Sequence, residues 1–393
     1  VNEYFADMHI HIGRTASGRA VKITGSKTLT LANILTYSGC PKGLHMTGVI
    51  DCHSPEVIQE IEALIHTGEL RELRDGGFQH ENGLVLIPGS ELEINDENCN
   101  GPIHVLAYFP DLPSLKSFSG WLSSKVTNIH LSSQRIYADG RELQLKVKGL
   151  GGLFIPAHIF TPFKSLYGKG VRNSLSEVFS PEQIDAVELG LSSNTAMANS
   201  IPELHKYTFL TNSDAHSLAK IAREYNSITM EAPSFKEFAK ALKNEEGRKI
   251  AANYGLDPFL GKYYETTCSS CGVIMQDSAE KCQECGHGRK IRGVKHRIAD
   301  LAEDIPSPLR PAYIPQVPLE YIPGLGPKTM DKLLDHFGTE MDILHHVPKG
   351  RLAEVTKEQL AETIHKARTG QLVFNAGGGG RYGKVARNEN KGQ

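Results

Sequence analysis

The sequence predicts an α/β fold, a parallel sheet or barrel, followed by a small cysteine-rich module and a helical C-terminal module. Three observations predict it. Short apolar runs bounded by turn residues recur through residues 1–243, with helical stretches between some of them, as in a parallel α/β domain. Cys268, Cys271, Cys282 and Cys285 gather at metal-ligand spacing. Beyond them a proline-rich stretch leads into a glycine turn and several apolar-periodic segments.

The first strand carries Asp7, His9 and His11. Side chains alternate faces along a strand, so the two imidazoles point the same way and Asp7 shares their face. Alone, this pattern fits a surface strand with incidental histidines equally well. Later strands are expected at Gly48-Val49-Ile50, Leu84 to Ile87, Ile103 to Tyr108, Gly152 to Pro156, Ala186 to Leu189 and Tyr207 to Thr211. Helices are expected at Ser54 to His66, Pro181 to Ile184 and Ser234 to Leu242.

Polar residues sit at the ends of these runs: Asp51 and His53, Glu91, His158, Asp214 and His216, with His104 inside its strand. In α/β barrels the C-terminal ends of parallel strands converge on one mouth, which collects these groups and gives room for two or three metals. Nitrogen and carboxylate donors without thiolates suit zinc, manganese or iron, and a bridging carboxylate is typical of hydrolytic multi-metal sites; two or three divalent ions, zinc, manganese or magnesium, are expected there.

The cysteine quartet, expected within 264–297, reads C-x2-C, ten residues, C-x2-C. Four thiolates at this spacing form a closed tetrahedral zinc site that is structural rather than catalytic. With Cys40, Cys52 and Cys99 scattered, the pattern is one of zinc in a reducing compartment, not a disulfide framework. Arg289, Lys290, Arg292, Lys295 and Arg297 follow with no acid between them. Such a run is either a solvated face or a contact for a phosphate backbone.

Residues 298–318, with Pro306, Pro308, Pro311, Pro315 and Pro318, read as a stiff extended linker. In 319–369, Pro323-Gly324-Leu325-Gly326 precedes a helix bearing Lys328. Backbone N–H groups of such a turn can face a phosphate, although a Gly-rich turn can also be a plain helix cap. The segment resembles a helix-hairpin-helix motif, which implies sequence-independent contact with the DNA backbone. Thr356 to Gln359 stands where a second copy would need glycines, so that copy is expected to pack rather than bind. The tail 370–393 is Gly-rich and basic, a strand-gripping arm or a plain disordered end. Gln371 to Phe374 loosely resembles a sliding-clamp docking peptide.

The net charge of −2 gives no global signature of a polyanion binder, so nucleic-acid contact must come from local patches. No run of 18 apolar residues and no leader-like start occurs, and a cytoplasmic protein without a membrane span is expected.

In chain order, His9-Ile10-His11, Asp51-Cys52-His53, Pro88-Gly89-Ser90-Glu91, His104, Ala157-His158 and Ser213-Asp214-Ala215-His216 resemble the motifs of the PHP (polymerase and histidinol phosphatase) superfamily. The resemblance implies a distorted seven-stranded β/α barrel with a trinuclear site that hydrolyses phosphate esters. It implies His9, His11, Glu91 and Asp214 around one metal, Glu91 bridging to a second held by His104 and His158, and His53 with His216 serving a third. Thr15, Ala16 and Ser17 stand where several members place a further ligand, which leaves the third site open. Asp51 either compensates or orients His53.

The stretches Ala157 to Gly168 and Val187 to Asn194 are similar to the endonuclease Q branch. That family implies a metal-dependent DNA repair endonuclease cutting 5′ to uracil, hypoxanthine, xanthine and abasic sites. Phe160, Phe163, Tyr167, Lys169 and Arg172 lie beside His158 and are expected candidates for contact with an extruded base. Arg289, Lys290, Arg292, Gly324, Gly326 and Lys328 are the expected backbone contacts. Two other readings use the same residues: a phosphoesterase or exonuclease acting on DNA ends or small phosphate esters, and a non-catalytic DNA-binding scaffold.

Overall fold

A computed structural model describes residues 1–372, 374–375 and 384–385. The Gly-rich tail from Ala376 to Gly383 and beyond Val385, and Val373 of the clamp-like tetrapeptide, lie outside the described residues.

The organising strand is β1 (Asn2–Ile10), followed by β2 (Met46–Val49), β3 (Leu70–Glu72), β4 (Phe78–His80), β5 (Val85–Ile94), β6 (Ile103–Tyr108) and β7 (Leu153–Pro156). Next come β8 (Ala186–Glu188), β9 (Thr208–Leu210), β10 (Tyr225–Met230) and β11 (Lys249–Gly255). β1, β2 and β5 are parallel neighbours. Period two is clean in the third: Val85 and Ile87 join one apolar cluster, Leu84 and Leu86 the other. Burial on both faces is why this run reads as continuously apolar. Each such side chain contributes about 1.5–3 kcal/mol by leaving water.

The sheet is mixed rather than parallel throughout. β6 and β7 each run antiparallel to the preceding strand. Only eight residues, 95–102, join β5 to β6, too few for the crossover that parallel strands need. His104 therefore stands at the start of its strand, opposite Glu93 of β5, and reaches the same end as the others. Phe154 O accepts from the amide of Asp185 just before β8, β8 pairs parallel with β9, and Ala215 bridges back to Ile10.

Of the expected helices, residues 55–67 and 235–243 form α-helices with Pro55 at the first position and Ser234 as N-cap, while Pro181–Gln183 is only a single 3-10 turn. Helices at Leu112–Ser123 and Gly140–Gly149, capped by Asp111 and Asp139, were not expected.

Past residue 243 the sheet continues. β10 and β11 pair antiparallel. The cysteine module follows, with β12 (Thr267–Cys268) paired to β13 (Lys290–Ile291). β14 (Ala312–Pro315), inside the proline-rich stretch, then joins the main sheet parallel to β11. Arg310 fastens this stretch, donating to the carbonyls of Tyr207 and Leu204. The C-terminal helices span Pro327–Phe337, Lys349–Val355 and Glu358–Arg368. They seat on the sheet through His345, stacked 4.6 Å from Phe5, with its Nε2 accepting from the Tyr225 hydroxyl at 2.6 Å. Lys42 and Glu340 add a buried ion pair at 2.9 Å. Among the described residues no helix is long and apolar enough to cross a membrane.

Candidate functional site

Two ligand sets meet at the ends of β1, β5, β6, β7 and β9. His9, His11 and Asp214 form one, and Glu91, His104 and His158 the other, each with donor atoms within 4.8 Å of one another. Glu91 stands between them. Its Oε1 lies 3.5 Å from His9 Nε2, 3.1 Å from His104 Nδ1 and 3.5 Å from His158 Nε2, while its Oε2 lies 3.5 Å from His11 Nε2. Asp214 Oδ1 is 3.3 Å from the Nε2 atoms of both His9 and His11.

The fit to metal ions rests on the atoms left over. His9 Nε2, His11 Nε2 and Asp214 Oδ1 face one another, buried and with no hydrogen-bond partner. An unmatched buried polar atom costs about 1–3 kcal/mol, so three converging on one point mark a site built for a cation. The other ring nitrogens are held: His9 Nδ1 donates to Glu188 Oε1 at 2.9 Å, and His11 Nδ1 to Asp51 Oδ2 at 3.0 Å. Such carboxylates fix the tautomer that presents Nε2 to a metal. Asp51 also accepts from the Ile12 amide at 2.8 Å, so it orients His11 and not His53. Asp7 accepts amides of Ser213 and Ala222 and ties the Asp214 loop to β1.

The charges are strongly coupled. Burial opposes ionisation of Glu91, yet His104, Lys22 and His11 hold its carboxyl well below the usual range; His9 and His11 do the same for Asp214 against its own burial. Burial likewise disfavours protonated His9, but Glu188 and Asp214 outweigh it and push the imidazole well above its ordinary value. His158 and Asp214 both adopt positive φ, 30° and 48°, a strained backbone common at functional sites. Gly190 makes room for the first, since a Cβ there would meet His158 Cβ at 3.0 Å.

Among the described residues, His53 and His216 do not fall within one group of three or more ligand atoms. Both ring nitrogens of His53 are engaged, Nε2 with Leu131 O at 3.2 Å and Nδ1 with Ser90 Oγ at 2.7 Å. His216 stays near the site, its ring 4.7 Å from that of His11. Lys22 instead brings its ammonium within 3.2 Å of Glu91 Oε2 and 2.6 Å of Ser133 Oγ. Lys22, Ser133 and Glu188 were missed. A buried acid inside an apolar strand was a signal for Glu188; for Lys22, on a loop, there was none.

A cleft of about 580 Å³ opens beside the ligands, lined by Thr24, His158, Thr161, Ser192, Asn212, Asp214, His216 and Tyr263 among others. Phe160 and Tyr167, expected to touch a base, are corrected to core residues: they are buried and stack on each other at 5.5 Å, with the Tyr167 hydroxyl donating to Glu203. Phe163 is 40% exposed, edge-on to Tyr263, with Lys169 Nζ 5.3 Å from its ring centroid. The Arg172 side chain is on the surface, while its carbonyl accepts from Arg297.

The four cysteines form one cluster, with Cys268 to Cys285 and Cys271 to Cys282 sulfur distances of 3.5 Å. The set suits a structural zinc. In the basic run, Arg292 is paired with Asp277 and Asp300, and Lys290 with backbone carbonyls of Asp277 and Ala279, while Arg289 is exposed beside them. Gly324, at φ 87°, Gly326 and Lys328 are exposed at the entry to the helix Pro327–Phe337. A second cleft, of about 1010 Å³, lies between Pro323-Gly324 and Thr356-Lys357 and includes Lys332 and Lys366.

No family model matches the chain. It is 55% identical over 386 residues to the uncharacterized protein YqxK of Bacillus subtilis, spanning 98% of this chain and all of that one. It is 37% identical over 251 residues to the uncharacterized protein MJ0043 of Methanocaldococcus jannaschii, covering 58% of this chain and 31% of that one. Among solved structures, the lesion-specific endonuclease PfuEndoQ from Pyrococcus furiosus superposes with a TM-score of 0.85 at 31% identity, over 100% of this chain and 98% of that one. Endonuclease Q in complex with a 27-mer duplex substrate bearing an abasic lesion at the active site gives 0.84 at 31%, over 99% and 97%.

Proposed function

The chain belongs to the endonuclease Q family, and on that premise we propose that it is a metal-dependent DNA endonuclease that cuts 5′ to deaminated bases and abasic sites. The observation that carries this reading is the pair of ligand sets joined by Glu91, with three orphaned donor atoms converging in one of them, in a chain alike to that family from end to end. We read β1, β2 and β5 to β9 as the distorted seven-stranded barrel of a PHP-type domain.

His9, His11 and Asp214 would hold one divalent ion and His104 with His158 a second, with Glu91 serving both sets. Ions held there would supply Lewis acidity toward the phosphate and activation of water near neutral pH. The protein then has no need of its own nucleophile. Glu188 and Asp51 keep His9 and His11 in the tautomer that faces inward. Lys22 contributes a fixed positive charge beside Glu91.

The cleft beside His158 has the size expected of a small-ligand pocket and would receive the extruded nucleotide. Ser192 and Thr161 offer hydroxyls for reading a base edge, while both polar atoms of the Asn212 side chain are engaged, with Glu188 and the Met8 amide. A deaminated base is cheaper to unpair than its parent, and its new carbonyl accepts hydrogen bonds where an exocyclic amine would not. The turn at Gly324 to Lys328, taken as a helix-hairpin-helix, and Arg289 would grip the phosphate backbone.

A labelled duplex with one internal deoxyuridine, assayed with and without Mg²⁺, Mn²⁺ or Zn²⁺, tests the proposal. A nick immediately 5′ to the lesion is expected. Release from the ends only would favour an exonuclease, and binding without cleavage a scaffold; either outcome removes the reading.

A further inference from the structure

One side chain next in sequence to a residue that lines the cleft has no structural employment. Ile23 is 77% exposed. Its neighbours in sequence are both committed: Lys22 reaches Glu91 and Ser133, and Thr24 lines the cleft with His158, Asp214 and His216.

The backbone around it is fixed. The amide of Gly25 donates to Lys22 O at 2.9 Å, closing a turn with Ile23 at its tip. Lys22 N donates to Ile12 O and Val21 N to Gly13 O, at 2.8 and 3.0 Å, which pins the incoming strand to the end of β1. On the outgoing side Ser26 N donates to His216 O at 2.8 Å. The contact of this loop with the strand end is so close that a Cβ on Gly13 would fall 2.0 Å from Ser26 O. Val21 is buried beneath.

Turn tips ordinarily carry Gly, Asn, Asp or Ser, and a β-branched residue there gains nothing from the fold. A lone exposed apolar residue on a surface needs no explanation. This one is held in a hydrogen-bonded turn between Lys22, which reaches Glu91, and Thr24, which lines the cleft beside His158 and Asp214. Isoleucine is stiff at χ1 and belongs to the apolar side chains that enter base steps and unstack them.

The geometry points to Ile23 as the residue that enters the DNA stack beside the target nucleotide, holding the duplex open while that nucleotide occupies the cleft. The inference rests on the nuclease reading above and adds to it the specificity-determining contact. Because Lys22 fixes the turn to Glu91, the wedge and the reacting phosphate are held in one register.

The test compares wild type, Ile23→Ala and Ile23→Leu on two substrates: a duplex with one deoxyuridine in a paired context, and the same strand with the deoxyuridine in a bubble of mispairs that is already unstacked. Ile23→Ala is expected to lower kcat/KM on the paired duplex by about tenfold or more relative to the bubble, with Ile23→Leu recovering most of it. Equal losses on both substrates, or no loss, overturn the inference. In parallel, 2-aminopurine placed next to the deoxyuridine should brighten when wild type binds without divalent metal, and should stay dim with Ile23→Ala. A wild type that nicks neither substrate defeats the nuclease reading, and the fluorescence comparison then decides the wedge by itself. Equal fluorescence for wild type and Ile23→Ala would sink it.

Discussion

Glu188 accepts the Nδ1 proton of His9 at 2.9 Å, and the same carboxylate also takes the amide of His158 and the side-chain amide of Asn212, both at 2.8 Å. One acid at the end of β8 thus positions residues from both ligand sets. Replacing it with glutamine keeps the volume but lets the amide present a donor to His9, favouring the wrong tautomer. Glu188→Gln should weaken binding of the active-site metal by about 10–100-fold with the circular dichroism spectrum unchanged. A metal titration followed by calorimetry reads this directly, and an unaltered affinity would remove Glu188 from the machinery.

Asp214 has no such helper role; its Oδ1 faces both His9 and His11. Asp214→Asn should reduce nicking by about a thousandfold or more while leaving DNA affinity within a few-fold. A variant that cuts at the normal rate would show the ligand assignment to be wrong.

The cysteine module and the active site should lose metal independently. Cys271→Ser is expected to remove one zinc per chain by elemental analysis and to lower the melting temperature, with metal at the histidine sets retained. Loss of all metal together would mean that the two regions fold as one unit.

His345 predicts a pH effect at the seat of the C-terminal helices. Burial against Phe5 and Tyr225, with smaller contributions from His346 and Arg368, pushes its imidazole down to about 4 from 6.5. The unfolded chain therefore takes up the proton first as the pH falls. The stability contributed is complete above about pH 6.5 and is lost progressively as pH falls through about 4. Between those limits the melting temperature of wild type should fall more steeply than that of His345→Gln. Parallel slopes would mean that this histidine is not protonated on unfolding.

The ligand histidines were legible because chemistry and position coincide: His9 and His11 share a strand face, and Glu91 and His158 follow apolar runs. Side-chain direction was not legible. Nothing in the spacing of Asp51 and His53 says that the first turns to His11 and the second to Ser90. Phe160 and Tyr167 sit one and eight residues from Ile159, yet only packing decides that they face the core while Phe163 faces solvent. Lys22 was invisible for a further reason: it reaches the site across a loop, and no periodicity constrains a loop. β10 and β11 escaped notice because asparagine, serine and lysine interrupt them, and their polar groups are satisfied by contacts such as Asn253 to Phe209 O that only the fold supplies.

β11 and β14 are adjacent parallel strands, and the whole cysteine module lies in the chain between them. The module is therefore a lariat: it leaves one edge of the sheet at Gly255 and returns to the same edge at Ala312. It is held by two tethers rather than one, so it cannot drift away as a domain on a string would. A cut anywhere in the loop would leave the two pieces of the protein still clasped by the backbone hydrogen bonds of that strand pair.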